Sequence, residues 1–69
     1  MKRNAVVQKL KKAAKAKGLP FEELTLSKHD AVKVGNTTKT LGRHSEIPDN
    51  IAKQFFDEFA SELGKGWWR

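Results

Sequence analysis

The pair Gly35 and Asn36 constrains the fold of this 69-residue chain more than any other feature. It stands between residues 29–34 and residues 37–41, two stretches that are rich in β-branched side chains. A glycine-containing pair of this type forms the tight turn that joins neighbouring antiparallel strands. The sequence therefore predicts a β-hairpin centred on this pair.

Alternation within residues 29–34 divides the first hairpin strand into two faces. Val32 and Val34 share one face, whereas His29 and Lys33 share the other. If the valines face the core, the histidine points into solvent. The turn also sets residues near position 29 roughly opposite residues near position 42 of the next strand.

Two amphipathic helices and one further strand are predicted around the hairpin. Apolar residues at three- and four-residue spacing predict a helix over residues 4–17, with Asn4 as its N-cap and Gly18 as its stop. Residues 21–26 alternate loosely and predict a short strand. A second helix is expected to begin at Pro48 and to run unbroken to about residue 63, with a broad apolar face that includes Ile51, Phe55, Phe59 and Leu63.

The predicted order of helix, three strands and helix places the chain in the α+β class. We expect a three-stranded antiparallel sheet packed against two helices, with its other face open and carrying His29. This α-β-β-β-α arrangement is that of double-stranded-RNA-binding-like domains. Residues 1–69 are expected to form one domain with residues 65–69 as a tail. Trp67 and Trp68 of this tail either fold back over the core or extend freely to stack on bases or dock onto a partner.

The charge of the chain points to a polyanionic partner. Fourteen Lys and Arg against eight Asp and Glu give a net charge of +6. The isoelectric point is about 9.9, and values above about 9 are typical of nucleic-acid-binding domains. The alternative is an ordinary solvated surface, because small domains often carry a net charge of about 2 to 8 in magnitude.

The composition also limits the kinds of site and the compartment. There is no cysteine, so neither a disulfide nor a thiolate metal site is available, and two histidines alone are a poor metal set. The chain shows no signal-peptide pattern and no apolar stretch of the roughly 18 residues that a membrane span needs. We therefore expect a cytoplasmic protein with no metal, no small-molecule cofactor and no membrane contact.

His29 is the candidate catalytic residue, because imidazole is the side chain best suited to taking and giving protons near neutral pH. His44 is a candidate second proton-transfer group, since the hairpin brings its segment towards His29. Each also has an ordinary interpretation, His29 as a surface residue and His44 as a solvated residue or a partner of a helix end. Asp30 and Glu46 are predicted to be structural, either orienting a histidine or capping a helix.

Cations suited to RNA phosphates lie around these histidines and along the first helix. Lys28, Lys33 and Arg43 adjoin the predicted site, and the planar fork of arginine matches phosphate geometry. The lysine face of the first helix, which includes Lys11 and Lys12, either contacts the RNA backbone or is simply solvated. A histidine side chain surrounded by cations therefore predicts a site for chemistry on RNA.

Two short segments resemble the HicA family, the mRNA interferase toxins of HicA and HicB toxin-antitoxin pairs. Residues 27–29 (Ser-Lys-His) match a Gly-x-His-like element, with serine where the family usually has glycine. Residues 43–47 (Arg-His-Ser-Glu-Ile) match an Arg-His-x-Glu-Ile segment that leads into the last helix. The similarity extends over about residues 1–63.

The resemblance implies a double-stranded-RNA-binding-like fold and metal-independent cleavage of messenger RNA, with His29 as the essential histidine. It also implies a HicB-like antitoxin as the protein partner, and a differently built turn at Ser27. Two other function classes fit the same residues. One is a non-catalytic RNA- or DNA-binding module, and the other is an interaction protein whose tryptophan tail and helices dock onto another chain.

Overall fold

The computed structural model describes all 69 residues and contains three helices and three strands. In chain order these are α1 (Arg3–Ala16), β1 (Phe21–Thr25), β2 (Asp30–Val34), β3 (Thr37–Leu41), α2 (Asp49–Asp57) and α3 (Ala60–Leu63). The strands form one antiparallel sheet in the order β1-β2-β3. The predicted α+β class and three-stranded antiparallel sheet are confirmed.

The hairpin between β2 and β3 turns at Gly35 and Asn36, with Val34 opposite Thr37. Gly35 has φ +59, whereas no residue other than glycine has a positive φ. A positive φ at the first central residue and not at the second fits a type II′ turn, whose twist matches that of the flanking strands. The sequence prediction of a tight two-residue turn is confirmed.

One apolar core lies between the helices and a single face of the sheet. The buried residues of this core come from α1, β2, β3, the segment before α2, and α2 with its C-terminal extension: Val6, Val7, Leu10, Ala14, Val32, Val34, Leu41, Ile47, Ala52, Phe55, Phe56, Phe59 and Leu63. Val32 and Val34 face the helices, so alternation directs Lys33 to the opposite, open face. None of the helices has the length and apolar composition needed to cross a bilayer.

The start of α1 differs from the sequence prediction. The helix begins at Arg3 with Lys2 at the N-cap position, and no side chain caps it, so the assignment of Asn4 as N-cap is wrong. The reason is a backbone partner: the Arg3 N–H donates to the Ser45 carbonyl at 2.9 Å. Lys2 also forms an isolated antiparallel bridge with Glu46. A distant segment of the chain therefore supplies hydrogen-bond partners to the backbone at the start of α1.

The last helix is not continuous, which corrects the prediction of an unbroken helix to residue 63. α2 ends at Asp57, and Phe59 leaves helical geometry with φ −100 and ψ 11 before α3 begins. The break allows both Phe59 and Leu63 to stay buried as the chain bends around the core. Gly64, with φ +95, ends α3.

Ile51 does not belong to the core, although its spacing predicts that it should. Its exposed fraction is 45%, because it lies in the first turn of α2 beside the outer edge of β3 rather than over the sheet. The strand limits also move slightly: β1 ends at Thr25 and β2 begins at Asp30. His29 therefore lies in the connecting turn and not in the strand.

The tryptophan tail folds back over the core, which is the first of its two interpretations. The indole N–H of Trp67 donates to the Phe56 carbonyl at 2.9 Å, and that of Trp68 donates to Asp57 Oδ1 at 2.7 Å. The rings of Phe56 and Trp67 meet edge to face, with centroids 5.2 Å apart. Such pairs add stability beyond their buried area.

The turn at Gly35 supports a first prediction. A Cβ at this position would lie 2.3 Å from Glu62 Oε2, and Glu62 Oε1 accepts hydrogen bonds from the Asn36 N–H and the Thr37 hydroxyl. Gly35→Ala should lower the free energy of unfolding by about 2 kcal/mol, combining left-handed strain with loss of these bonds. Urea unfolding followed by circular dichroism measures the change.

Gly18→Ala is the matched control, because Gly18 has φ +69 but no atom within 4 Å of an added Cβ. It should cost only the backbone strain, about 1 kcal/mol. Equal losses for the two variants would contradict a stabilising contact between Glu62 and the turn.

Candidate functional site

His29 is exposed and lies at the end of the sheet where β2 begins and β3 ends, called here the His29 end. Asp30 is paired with Leu41 across the hairpin. His29 comes directly before the first residue of β2, and its side chain is exposed, as the sequence predicts. The imidazole is accessible to a large ligand.

The turn before His29 is closed by the Leu26 N–H, which donates to the His29 carbonyl at 2.9 Å. Ser27 and Lys28 form its tip. Because no residue other than glycine has a positive φ, Ser27 adopts an ordinary conformation. The serine is therefore compatible with the turn, and no glycine is required there.

An ion-pair cluster of Arg3, Asp30 and Arg43, called here the Asp30 clamp, holds the His29 end together. Asp30 Oδ2 accepts from Arg3 Nη2 at 2.9 Å, and Oδ1 accepts from Arg43 Nε at 3.1 Å. The side chains of Arg3 and Asp30 are 17% and 25% exposed. Charge-assisted bonds in such partly buried positions are stronger than bonds between neutral groups.

The two arginines of the clamp also bind backbone carbonyls on either side of His29. Arg3 Nε donates to the Gly42 carbonyl at 3.0 Å, and Arg43 Nη2 donates to the Leu26 carbonyl. The clamp therefore connects the start of α1, the β1–β2 turn and the segment after β3. These contacts fix the backbone that carries the histidine.

Asp30 is structural, as predicted, but it pairs with arginines rather than orienting a histidine or capping a helix. Glu46 likewise lies near Lys2, at 3.9 Å between Oε2 and Nζ. Arg43 was expected to grip phosphate, and the structure shows its Nε and Nη2 engaged by the protein. Its remaining donors are on a side chain that is 47% exposed.

Arg3 is the residue of this site that sequence reasoning missed. The sequence contains an indication of its role, because Arg3 precedes Val7, Leu10 and Ala14 at helical spacing on the buried stripe of α1. A charged residue on an apolar stripe is rarely buried without a partner. The partner itself, Asp30, cannot be identified from spacing within α1.

His44 is exposed in the segment that follows β3. The pairing of Asp30 with Leu41 confirms that positions near 29 and 42 are opposite one another. The ring Cδ2 of His44 would lie 3.4 Å from a Cβ placed on Gly42. The ring of His44 therefore lies beside Gly42, the residue opposite His29.

The predicted lysines fall into two separate groups. Lys28 is exposed in the turn beside His29, and Lys33 is half-buried on the open face opposite Glu22. Lys33 is four residues from His29, or about 13 Å along a strand. Lys11 and Lys12 are exposed on α1, which packs on the opposite face of the sheet. The structure therefore does not bring the α1 lysines to the His29 end.

No group of three or more His, Asp or Glu side chains is arranged to hold a metal ion. Comparison with known proteins gives no match to a protein-family model, to a curated protein or to a solved structure.

The Asp30 clamp supports a second prediction. Asp30→Asn removes the charge that both arginines share, and hydrogen bonds to charged groups contribute about 1.5 to 3 kcal/mol each. We expect the free energy of unfolding to fall by about 2 kcal/mol, measured by urea unfolding. Asp49→Asn is the control, because the Asp49 side chain is 78% exposed; it should cost under about 0.5 kcal/mol. Equal effects would contradict a stabilising clamp.

Proposed function

We propose that this protein is the toxin of a type II toxin-antitoxin pair, a HicA-like endoribonuclease that cleaves messenger RNA in the cytoplasm without a metal. His29 is its general acid/base, and a HicB-like antitoxin neutralises it. The observation that supports this proposal is the exposed imidazole of His29, carried on a backbone that the Asp30 clamp holds from both sides.

The chemistry requires a base, a cation and an acid. The base takes the proton from the ribose 2′-hydroxyl, the 2′-oxygen attacks the phosphorus, and the bond to the 5′-oxygen breaks as that oxygen receives a proton. His29 serves as the principal proton-transfer group. A neighbouring cation stabilises the negative charge that builds on the phosphorane.

Lys28 is the cation best placed for this role, because it is exposed and adjacent to His29 in the turn. Lys33 lies further along, on the open face of β2, and suits another phosphate of the same RNA. Arg43 contributes mainly through the Asp30 clamp. His44, whose ring lies beside Gly42, is the candidate for the second proton transfer.

The proposal predicts a catalytic defect without a folding defect. His29→Ala should reduce cleavage of a single-stranded messenger RNA fragment at least about 100-fold, since general acid–base catalysis contributes about 10²- to 10⁴-fold. The circular-dichroism spectrum should stay unchanged because the ring is exposed. Cleavage is measured with purified protein, with and without a chelator, and the products are examined for a 2′,3′-cyclic phosphate end.

Lys65→Ala is the control variant, an exposed lysine on the α3 side of the molecule. It should cleave at the wild-type rate, whereas Lys28→Ala should be slower. Retention of full cleavage by His29→Ala would reject the nuclease assignment.

A second candidate function is a non-catalytic nucleic-acid-binding module. The observation that favours it is the exposed lysine face of α1, which lies on the other side of the sheet from His29. In contrast, the third class, docking through a free tryptophan tail, loses its main support because both indole N–H groups are bonded within the protein.

The α1 lysines give a prediction that separates binding from cleavage. Replacing Lys11 and Lys12 together with alanine should weaken binding of single-stranded RNA and lower the slope of log K against log salt by about 1.4, because each phosphate contact on a single strand contributes about 0.7. Fluorescence anisotropy across a salt series measures the slope. An unchanged slope would show that this helix face is only solvated.

A further inference from the structure

The outer edge of β3 and the first turns of α2 enclose a groove that the proposed RNA chemistry does not use, called here the β3 groove. Residues 40–42 form its sheet side, and Ile51, Gln54, Phe55 and Glu58 form its helix side. Its volume is about 260 Å³. Single exposed apolar residues such as Ile51 are common on protein surfaces, so the groove alone does not identify an occupant.

The outer edge of β3 also offers backbone hydrogen-bonding groups to this groove. The Leu26 N–H bonds the His29 carbonyl, and the Gly35 N–H bonds the Pro20 carbonyl. In β2, the backbone groups of the odd-numbered residues therefore form hydrogen bonds with β1. Those of the even-numbered residues form hydrogen bonds with β3, where their partners are the odd-numbered residues. The N–H and C=O groups of Thr38 and Thr40 consequently point outward from the sheet. They are free to pair with another strand.

Side chains distinguish this edge from the other free edge of the sheet. Charged residues, lysine above all, discourage pairing at an edge. β1 carries two of them, Glu22 and Glu23, whereas β3 carries one, Lys39, among three threonines. Threonine favours strands, so β3 is the edge whose composition suits the addition of a strand.

The charge of the protein indicates which kind of strand would bind in the β3 groove. The chain carries +6, Lys39 lies at the centre of β3, and the half-exposed Arg43 follows two residues after its end. A second copy would bring another +6 and, in the symmetric register centred on β3, would set Lys39 opposite Lys39, which is unfavourable. Glu58 is the only charged residue in the lining itself, and it follows the end of α2. The cations lie on and beside β3, the strand with which a partner would pair, so an acidic strand is the complementary partner.

We propose that the β3 groove binds an extended, acidic segment of another protein by β-strand addition. The main chain of that segment pairs with Thr38 and Thr40, and its alternate apolar side chains contact Ile51 and Phe55. Main-chain hydrogen bonds supply affinity in this mode of recognition, and pockets for alternate side chains supply specificity.

The bound strand also approaches the candidate site. The pairing of Asp30 with Leu41 places Gly42 opposite His29, and Gly42 is part of the groove. A strand that continues along β3 past Gly42 covers the approach to His29 and His44. This inhibitory consequence rests on the proposed function, whereas the binding does not.

The test uses a labelled, end-capped peptide in which glutamate alternates with valine, about nine residues long to match a strand. Fluorescence anisotropy with the full chain should show binding, and a peptide with lysine in place of glutamate should bind at least about tenfold more weakly. Hydrogen exchange followed by NMR should slow at the Thr38 and Thr40 amides when the acidic peptide is added.

Two matched proline variants test the strand edge. Thr40→Pro removes an outward N–H without removing a bond to β2 and should weaken peptide binding at least about tenfold. Glu23→Pro makes the same change at the β1 edge and should leave the affinity within about twofold. If circular dichroism shows that Thr40→Pro is unfolded, Ile51→Glu replaces it, since Ile51 is exposed, and should weaken the acidic peptide similarly.

Several results would overturn the inference: no peptide binding, undiminished binding by Thr40→Pro or Ile51→Glu, or protection at β1 instead of β3. Light scattering that shows a dimer of the protein alone, disrupted by Thr40→Pro, would assign the edge to a second copy. Protection of the Thr38 and Thr40 amides by an RNA oligonucleotide would assign the groove to nucleic acid.

Peptide binding and nuclease activity can fail separately. His29→Ala should bind the acidic peptide as tightly as the wild type, because His29 is not part of the groove. Inhibition of RNA cleavage by the peptide is measured with the wild type. Peptide binding by a protein that does not cleave RNA would reject the proposed function and keep the docking site, and the opposite pattern would reject the docking site alone.

Discussion

A single carboxylate, Asp30, determines how the His29 end of the molecule is assembled. Its two oxygens accept hydrogen bonds from Arg3 and Arg43, which belong to segments far apart in the chain. Because these groups are charged and partly buried, their bonds compete well with water. The same arginines bind carbonyls before and after the histidine, so the position of the candidate site depends on this interaction.

The Asp30 clamp also determines which of the positively charged side chains are free to bind a ligand. Arg43 is engaged on Asp30, which leaves Lys28 in the β1–β2 turn and Lys33 on the open face as the other predicted cations of the candidate site. The α1 lysines belong to the opposite side of the molecule. If RNA is the partner, as we propose, a long molecule would have to wrap around the domain to contact both groups, whereas a short one would contact only one of them. The two surfaces can therefore be separated by mutation.

Much of the fold could be predicted because its signals are local. The Gly35-Asn36 turn depends on backbone conformation, and the core positions of α1 follow helical spacing. Ile51 could not be placed correctly, because its exposure depends on where α2 lies relative to the edge of β3. Asn4 was misassigned because the cap of α1 is a carbonyl from Ser45. The exposure of His29 was predicted correctly, but its place in the turn before β2 and the support of the His29 end by Arg3 required the tertiary structure.

The contacts of Arg3 also set an order of events during folding. Arg3 bonds Asp30 and Gly42, which are 27 and 39 positions further along the chain. Closing loops of this length costs conformational entropy before any contact compensates for it. During synthesis of the chain, Arg3 of α1 therefore has no partner until both hairpin strands have been made. The His29 end can therefore take its final arrangement only after Gly42 has been added to the chain.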